Sequence, residues 1–360
     1  MALPNGVTAA YVYDTASQLT SVTYMSGATT LGTLTYSYDL AGHVSSRGGT
    51  LFQSVLPAAV TSATYSLANR LTARTAAGVT ALPVWDANGS LTSDGLRTYT
   101  WDSRNRLTAI SGLATYAYDG LGRRATATLS GTATSFLYDG WDAVQEKQGV
   151  TVSADSLTGP GIDERLSRGA STLLADALGS TVGLASGATV ATRYGYDPYG
   201  VSQVTGTAST NPFQFTGREN DTATGLLNYR NRYYNPAWGR FVSEDPVGLR
   251  GGINAYRYVS NNPVQLRDPL GLYPAPDGLE IIRGGVSDGG SGVPQAPDWT
   301  TVDKAASADD PQQTKQIDAI CSSVGLDRAQ RRILHDAITG QGLSYQEILA
   351  IAKAIKCGQI

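Results

Sequence analysis

Metal-binding and sulfur-containing residues are scarce in this 360-residue chain, which has two Cys, two His and two Met. Cys321 and Cys357 stand 36 positions apart, which is not a zinc-ligand spacing, and only His43 and His335 are available to join them. We therefore expect no metal site and no cofactor.

Long apolar runs and a basic leader are also missing. No run approaches the roughly 18 residues that a membrane helix needs. The first ten residues, MALPNGVTAA, contain no basic region followed by an apolar stretch, so we expect export by a non-classical route, from the cytoplasm to a secreted or cell-surface location. Charged residues make up 16% of the chain and its net charge is −3, which excludes a disordered polyelectrolyte and an overall basic nucleic-acid binder.

Turn formers and tyrosine are abundant, with 41 Gly, 15 Pro and 20 Tyr against 5 Phe and 5 Trp. This composition favours short strands joined by many turns. Both Cys and most Lys lie beyond residue 300, so the tail is composed differently from the body. Between them, residues 273–309 are rich in Gly, Pro, Ser and Asp without periodicity, which predicts a flexible linker.

An aromatic–x–aromatic–Asp unit recurs in the body at a spacing typical of repeat architectures. Its clearest copies begin at Tyr11, Tyr36, Tyr99 and Tyr116. Each unit alternates apolar and polar positions and then meets Asp, Asn or Gly, which predicts strand, tight turn, strand. The alternating tyrosines should share one sheet face, with each hydroxyl hydrogen-bonded, and the turn aspartates should cap backbone amides.

These units resemble the YD repeats of bacterial RHS proteins, Tc toxin cocoons and teneurins. The resemblance is strongest over 176–272, in the segments Tyr194–Gly200, Phe215–Glu219, Tyr229–Phe241, Asp245–Leu249, Asn254–Pro263 and Asp268–Leu272. It implies a mainly β fold, with a YD-repeat β-hairpin shell over 1–160, an RHS repeat-associated core over 161–272 that plugs one end, and a variable payload downstream, commonly a toxin.

The resemblance also implies an aspartic-type autoprotease that cuts after the Asp-Pro-x-Gly-Leu motif. Its matching positions are Arg232, Asp245 and Asp268, and the scissile bond is Leu272–Tyr273. Two neighbouring carboxylates cannot both ionise, so one serves as acid while the other activates water, and a guanidinium steadies the charge. The competing interpretation is that each Asp-Pro simply initiates a turn. Asn235 departs from the pattern, in which Asp is common.

The predicted shell is too small to enclose its own tail. If all 272 body residues were strand, at about 16 Å² each, the sheet would enclose a sphere of inner radius about 14 Å. A compact 88-residue tail has an equivalent radius of about 16 Å. The cocoon is therefore incomplete: the payload is carried unfolded, a partner supplies more wall, or the chain is a truncated tip module, which we favour.

Residues 310–360 carry three helix signals, which begin at Asp310, Asp327 and Ser344. They predict a small helical C-terminal domain, in which Cys321 and Cys357 either form a disulfide or remain two buried thiols. His335, with Arg331 and Asp336 nearby, is either an acid–base group or a surface helix residue. From 321 to 360 a weak excess of basic residues makes nucleic acid a possible ligand, and a nuclease a weak candidate activity.

Two functions from different classes remain. The first is a toxin-delivery protein of interbacterial competition, which cleaves itself to release a helical effector. Its expected partners are an immunity protein that binds 310–360 and an upstream shell or a component of a secretion apparatus. The second is a structural or adhesive surface protein with an inert core and a helical docking tail.

Overall fold

The computed structural model describes residues 1–272, except for the side chains of 249 and 250. Within that range the chain is mainly β, as predicted: its strands form five antiparallel sheets, joined by turns and four short 3₁₀ segments, Pro4–Gly6, Phe215–Gly217, Gly248–Gly251 and Val259–Asn261. No helix among these residues is long and apolar enough to cross a membrane.

Consecutive strands pair as neighbours, as a chain of hairpins requires. The first sheet contains β1 (Val7–Tyr13), β2 (Leu19–Ser26), β3 (Thr29–Tyr38) and β4 (Val44–Gly48). Two small sheets follow, one of β5 (Val60–Tyr65), β6 (Leu71–Ala76) and β7 (Val79–Ala81), the other of β8 (Val84–Trp85) and β9 (Leu91–Ser93).

The largest sheet has twelve strands in sequence order. They are β10 (Tyr99–Trp101), β11 (Leu107–Ile110), β12 (Ala114–Tyr118), β13 (Arg124–Leu129), β14 (Thr132–Asp139), β15 (Asp142–Gln148), β16 (Thr151–Thr158), β17 (Arg165–Arg168), β18 (Ser171–Ala175), β19 (Thr181–Ser186), β20 (Thr189–Tyr196) and β21 (Ser202–Gly206). The sheet continues across the division expected at residues 160 and 161, because β16 pairs with β17. The last sheet contains β22 (Glu219–Asp221), β23 (Leu226–Tyr229), β24 (Arg232–Asn235) and β25 (Arg240–Phe241).

The repeated turns are held by their aspartates. In the turn at Asp119, one carboxylate oxygen accepts the backbone N–H groups of Leu121 and Arg123, both at 2.9 Å. The same pair of bonds, to the second and fourth residues after the aspartate, recurs at Asp14, Asp39, Asp102, Asp176 and Asp197. The predicted capping role is thus confirmed.

In six of the repeat units the aromatic residue before the turn hydrogen-bonds to an earlier backbone carbonyl. Tyr118 donates its hydroxyl to Leu107 at 2.7 Å, and Trp101 donates its indole N–H to Leu91 at 2.7 Å. Tyr38, Trp85, Tyr138 and Tyr196 make equivalent bonds. These bonds satisfy the polar end of each half-buried ring, as predicted, and join one repeat to the previous one.

The apolar faces of the repeat sheets pack against later parts of the chain. One cluster joins the β1–β4 sheet to β18 and β19 through Leu174, Val182 and Ala185. A second joins the faces of β9–β13 to Leu226, Tyr233 and Val242 in and beside the last sheet. The rings of Tyr116 and Tyr233 lie 5.1 Å apart in this second cluster. The last sheet is therefore packed against the repeats, with both of its faces buried at β23 and β24.

Candidate self-cleavage site

Arg232 is the centre of the candidate site, and its position follows from strand alternation. On β24, Tyr233 faces the repeat cluster, so Arg232 and Tyr234 project to the opposite face. There the Arg232 guanidinium lies over the ring of Phe241, 3.6 Å from its centroid. Tyr229, Tyr234, Phe241 and Tyr258 form an edge-to-face aromatic cluster behind it. Arg232 is only 2% exposed, so its charge needs partners within the protein.

Two Asp-Pro-x-Gly turns supply those partners. Asp245 begins one turn, in which its Oδ1 accepts the Val247 N–H at 3.0 Å. Asp268 begins the other, in which its Oδ1 accepts the Leu272 N–H at 3.1 Å. Each carboxylate thus caps its turn with one oxygen, as the repeat aspartates do, and keeps its other oxygen, Oδ2, for Arg232. Asp245 and Asp268 therefore both begin turns and face Arg232, so the two competing interpretations of the Asp-Pro pairs do not exclude each other.

The guanidinium of Arg232 joins the two carboxylates and the chain before the predicted scissile bond. Its Nη2 lies 2.9 Å from Asp245 Oδ2 and 3.5 Å from Asp268 Oδ2. Its Nε donates to the Gly271 carbonyl at 2.5 Å, and its Nη1 donates to the Ala255 carbonyl at 2.9 Å. All three residues of the predicted triad therefore meet, although Asp245 lies 13 positions and Asp268 lies 36 positions after Arg232.

Burial dominates the electrostatics of this site. It raises the pKa of Asp245 and of Asp268 above the ordinary 3.8, although the charge of Arg232 opposes the rise in both. The charge of Asp268 further raises the pKa of Asp245. Burial also lowers the pKa of Arg232 to about 10. Raised carboxyl pKa values are what an acid–base pair of carboxylates needs, because one member has to hold a proton.

The segment before the predicted scissile bond is held by three consecutive residues. Arg230 Nη1 donates to the Pro269 carbonyl, Asn231 Nδ2 donates to the Leu270 carbonyl at 3.0 Å, and Arg232 Nε donates to the Gly271 carbonyl. Residues 230–232 thus bind the carbonyls of residues 269–271 in register, one donor to each acceptor. This places Leu272, whose N–H donates to Asp268, beside that aspartate.

Gly271 comes very close to the strand that holds it. A Cβ at this position would lie 2.4 Å from the Tyr229 carbonyl oxygen, and the residue has a φ of +68°. Both observations require glycine. The remaining predicted site residues lie outside the described residues: Tyr273 of the scissile bond, His335, Arg331 and Asp336 of the tail, and the pair Cys321 and Cys357. The predicted linker and helical domain also lie there.

Sequence reasoning missed a network of buried charges beside the site. Arg124 Nη1 lies 2.7 Å from Asp221 Oδ2, its Nη2 pairs with Glu219, and the Tyr116 hydroxyl donates to Asp221 at 2.9 Å. Arg218 and Arg230 both pair with Asp163. Arg218, Glu219 and Arg230 lie within or next to the quoted core segments, but no repeat or motif marks Asp163.

Comparisons with known proteins find nucleases and toxins among the similar sequences. No protein-family model matches it. It is 34% identical over 208 residues to the tRNA3(Ser)-specific nuclease WapA of Bacillus spizizenii, covering 52% of this chain and 9% of that protein. It is 30% identical over 219 residues to double-stranded DNA deaminase toxin A of Burkholderia cenocepacia, covering 48% of this chain and 15% of that protein. With the toxin protein Tse5 of Pseudomonas aeruginosa it shares 48% over 61 residues, which is 17% of this chain and 5% of that one.

Several relatives of this chain are named as toxins. The chain spans only about a tenth of the length of the first curated relatives it matches. Among solved structures, the Photorhabdus luminescens Tc holotoxin pore with a TccC3 mutation has a TM-score of 0.58 at 20% identity, covering 78% of this chain and 18% of that one. The TcdB2-TccC3-TEV crystal structure has a TM-score of 0.51 at 21% identity, with 74% and 18% coverage. The two structural matches show that this chain shares its fold with part of these Tc toxin structures.

Proposed function

We propose that this chain belongs to the shell and core of an RHS-type toxin-delivery protein, and that its core cuts the chain after Leu272. Residues 1–160 form part of a YD-repeat shell, an incomplete cocoon, and residues 161–272 form the autoproteolytic core. Residues 273–309 are a linker and 310–360 a small helical effector. The observation that carries the proposal is that one buried guanidinium, that of Arg232, joins Asp245, Asp268 and the Gly271 carbonyl.

The arrangement supports hydrolysis by a pair of carboxylates. The ionised carboxylate takes a proton from water, and the water oxygen bonds to the Leu272 carbonyl carbon. The protonated carboxyl donates to the carbonyl oxygen as the tetrahedral intermediate forms. When the C–N bond breaks, the nitrogen of Tyr273 takes a proton and leaves as an amine, and Leu272 ends as a carboxylate. Arg232 limits the repulsion between the two aspartates and holds Gly271 in place.

A gel and a mass spectrum test the cleavage. The purified wild-type chain should separate under denaturing conditions into fragments of 272 and 88 residues, and Asp245→Asn should remain one band. Asp197→Asn is the matched control, because Asp197 also precedes a proline and caps a turn but does not contact Arg232. We expect it to be cut as wild type is.

The position of the cut separates enzymatic from chemical cleavage. Asp-Pro bonds break spontaneously in acid, which would leave fragments that end at Asp245 or Asp268. A fragment that ends at Leu272 supports the proposal. A wild-type chain that stays whole under native conditions contradicts it and favours the competing structural or adhesive role.

The released tail is proposed to act as a toxin in competition between bacteria. The named relatives that act on tRNA or on double-stranded DNA support a toxic role in general, without assigning either activity to this tail. Expression of 273–360 in a bacterium should arrest growth, and His335→Ala should restore it if His335 is an acid–base group. Unaffected growth would contradict a toxic tail.

The proposal includes partners and a destination. An immunity protein would bind 310–360, and an upstream shell or a component of a secretion apparatus would join the repeats. The structural neighbours are Tc toxin complexes that contain partner subunits, which supports a role within an assembly. We propose that the protein reaches the cell surface or the medium by a non-classical route. Co-expression of neighbouring genes, scored by rescue of growth, would identify the immunity protein.

A further inference from the structure

Arg230 connects the chain before the scissile bond to carboxylates that lie far from it in sequence. Its Nη2 lies 2.7 Å from Asp163 Oδ1 and 3.3 Å from Asp142 Oδ1. Its Nη1 donates to Asp163 Oδ2 at 3.1 Å and to the Pro269 carbonyl. The side chain is only 6% exposed, so one guanidinium joins three separate parts of the chain with little access to water.

These contacts are specific to an arginine. The planar guanidinium binds both oxygens of Asp163 and, through the same Nη1, the Pro269 carbonyl. An ammonium group is a compact charge on a flexible stem and cannot keep this fork. Asp163 is itself fixed, because it also pairs with Arg218 and is 3% exposed. The charges of Arg218 and Arg230 outweigh its burial and lower the pKa of Asp163, so it remains a carboxylate.

Asp142 extends this link to the twelve-stranded sheet. It is the first residue of β15, 88 positions before Arg230, and it also lies 3.6 Å from Arg165 Nη2. Neither Asp142 nor Asp163 contacts Asp245, Asp268 or Arg232 by a described hydrogen bond or ion pair. The most direct described connection from these two carboxylates to the segment before the scissile bond therefore runs through Arg230 and the Pro269 carbonyl.

We propose that Arg230 is a positioning residue for cleavage after Leu272, and that Asp142 and Asp163 hold it, so that cutting depends on the docking of the β14–β15 hairpin against the core. The inference rests on the proposed self-cleavage. Arg230 takes no part in the proton transfers, and within the segment before the scissile bond it binds only the Pro269 carbonyl. It fixes the start of the segment whose end, Leu272, carries the reacting carbonyl. A shift of about 1 Å in a reacting group can slow a reaction roughly a hundredfold.

The test follows the cleavage of the full chain with time. The chain is made by cell-free translation with labelled methionine, samples are quenched in denaturant, and the fraction cut is fitted to a first-order rate. We expect Arg230→Gln to slow cutting roughly tenfold to a hundredfold. Arg230→Lys should lie between it and wild type, as should Asp142→Asn, which leaves Arg230 with Asp163 alone.

Arg123→Gln is the matched control. Arg123 also pairs with an aspartate, Asp119, and also donates to a backbone carbonyl, that of Gly140 in the β14–β15 hairpin, at 2.7 Å. It does not contact residues 268–272 by any described bond. We expect Arg123→Gln to be cut at the wild-type rate.

A second measurement separates positioning from folding. In an Asp245→Asn background the chain stays whole, and amide hydrogen exchange is read by peptide. Arg230→Gln should speed exchange at 270–272 and leave β10–β20 unchanged. Faster exchange over the whole chain in both Arg230→Gln and Arg230→Lys would overturn the positioning role in favour of a purely structural one.

The two proposals fail in different ways. If wild type is not cut after Leu272, the self-cleavage proposal fails. If wild type is cut and Arg230→Gln is cut at the same rate as Arg123→Gln, self-cleavage stands and the positioning role of Arg230 is wrong.

Discussion

Replacing Gly271 by alanine tests how closely the chain has to fit beside the two aspartates. The added Cβ would lie 2.4 Å from the Tyr229 carbonyl oxygen and 3.1 Å from the Tyr229 Cβ. To reach an ordinary contact distance near 3.4 Å, the segment has to move by about 1 Å away from β23. The φ of +68° adds roughly 1–2 kcal/mol of strain for any residue with a Cβ.

The displacement and the strain have separate effects. The displacement carries the Gly271 carbonyl away from Arg232 and the Leu272 amide away from Asp268, so we expect cleavage to slow roughly a hundredfold. The strain lowers the free energy of unfolding. Gly225→Ala isolates the strain, because Gly225 has a φ of +75° and no atom within 4 Å of the added Cβ. It should lose about 1–2 kcal/mol of stability and keep the wild-type cleavage rate.

Rates from the cell-free time course and urea unfolding of the Asp245→Asn forms give the two quantities for each variant. The reasoning is refuted if Gly271→Ala is cut within about threefold of the rate of Gly225→Ala, since a factor that small is far below the loss expected for a 1 Å shift.

Two further predictions concern charge. The cleavage rate should have a bell-shaped dependence on pH, because no base is available below both carboxyl pKa values and no acid is available above both. Burial raises the pKa of Asp245 and Asp268 above 3.8, so the pH of maximum rate should be higher than for two unperturbed aspartates. A rate that keeps rising through neutral pH would argue against a carboxyl acid. Arg124→Leu should lower the free energy of unfolding by about 3–5 kcal/mol at pH 7, because it leaves Glu219 and Asp221 buried without their cation. Urea unfolding of the Asp245→Asn form measures this loss of stability, which should be smaller in acid because the two carboxylates take up protons there. Arg104→Leu, at an exposed position, is the control.

Local chemistry explains why the repeats could be predicted. A turn aspartate such as Asp119 bonds to amides two and four residues later, and Tyr118 next to it alternates into the sheet face, so both roles follow from a few neighbouring residues. The triad of Arg232, Asp245 and Asp268 was predicted from its resemblance to a known pattern. The sequence did not predict that each aspartate has two roles, with one oxygen capping a turn and the other facing Arg232.

Contacts between distant residues could not be predicted. Nothing in the spacing of Asp142 or Asp163 marks them as partners of Arg230, because an ion pair across 88 or 67 positions leaves no periodic signal. The size estimate for the shell treated the inner sheet face as free. The structure places Leu226, Tyr233 and Val242 against one face of β9–β13, so the chain's own later residues cover part of the repeat strands.

The residues that contact Arg230 are synthesised at different times, which sets an order in which its contacts can form. Hairpins such as β12–β13 join near neighbours and can form while the chain is still emerging, whereas residues 268–272 come last among the described residues and rest on partners made much earlier. Asp142 and Asp163, which both contact Arg230, are made before Arg230 and the Pro269 segment that it holds. A cut after Leu272 would then mark a chain whose shell hairpins had already docked, and the intact band on a gel would include the chains that had not finished folding.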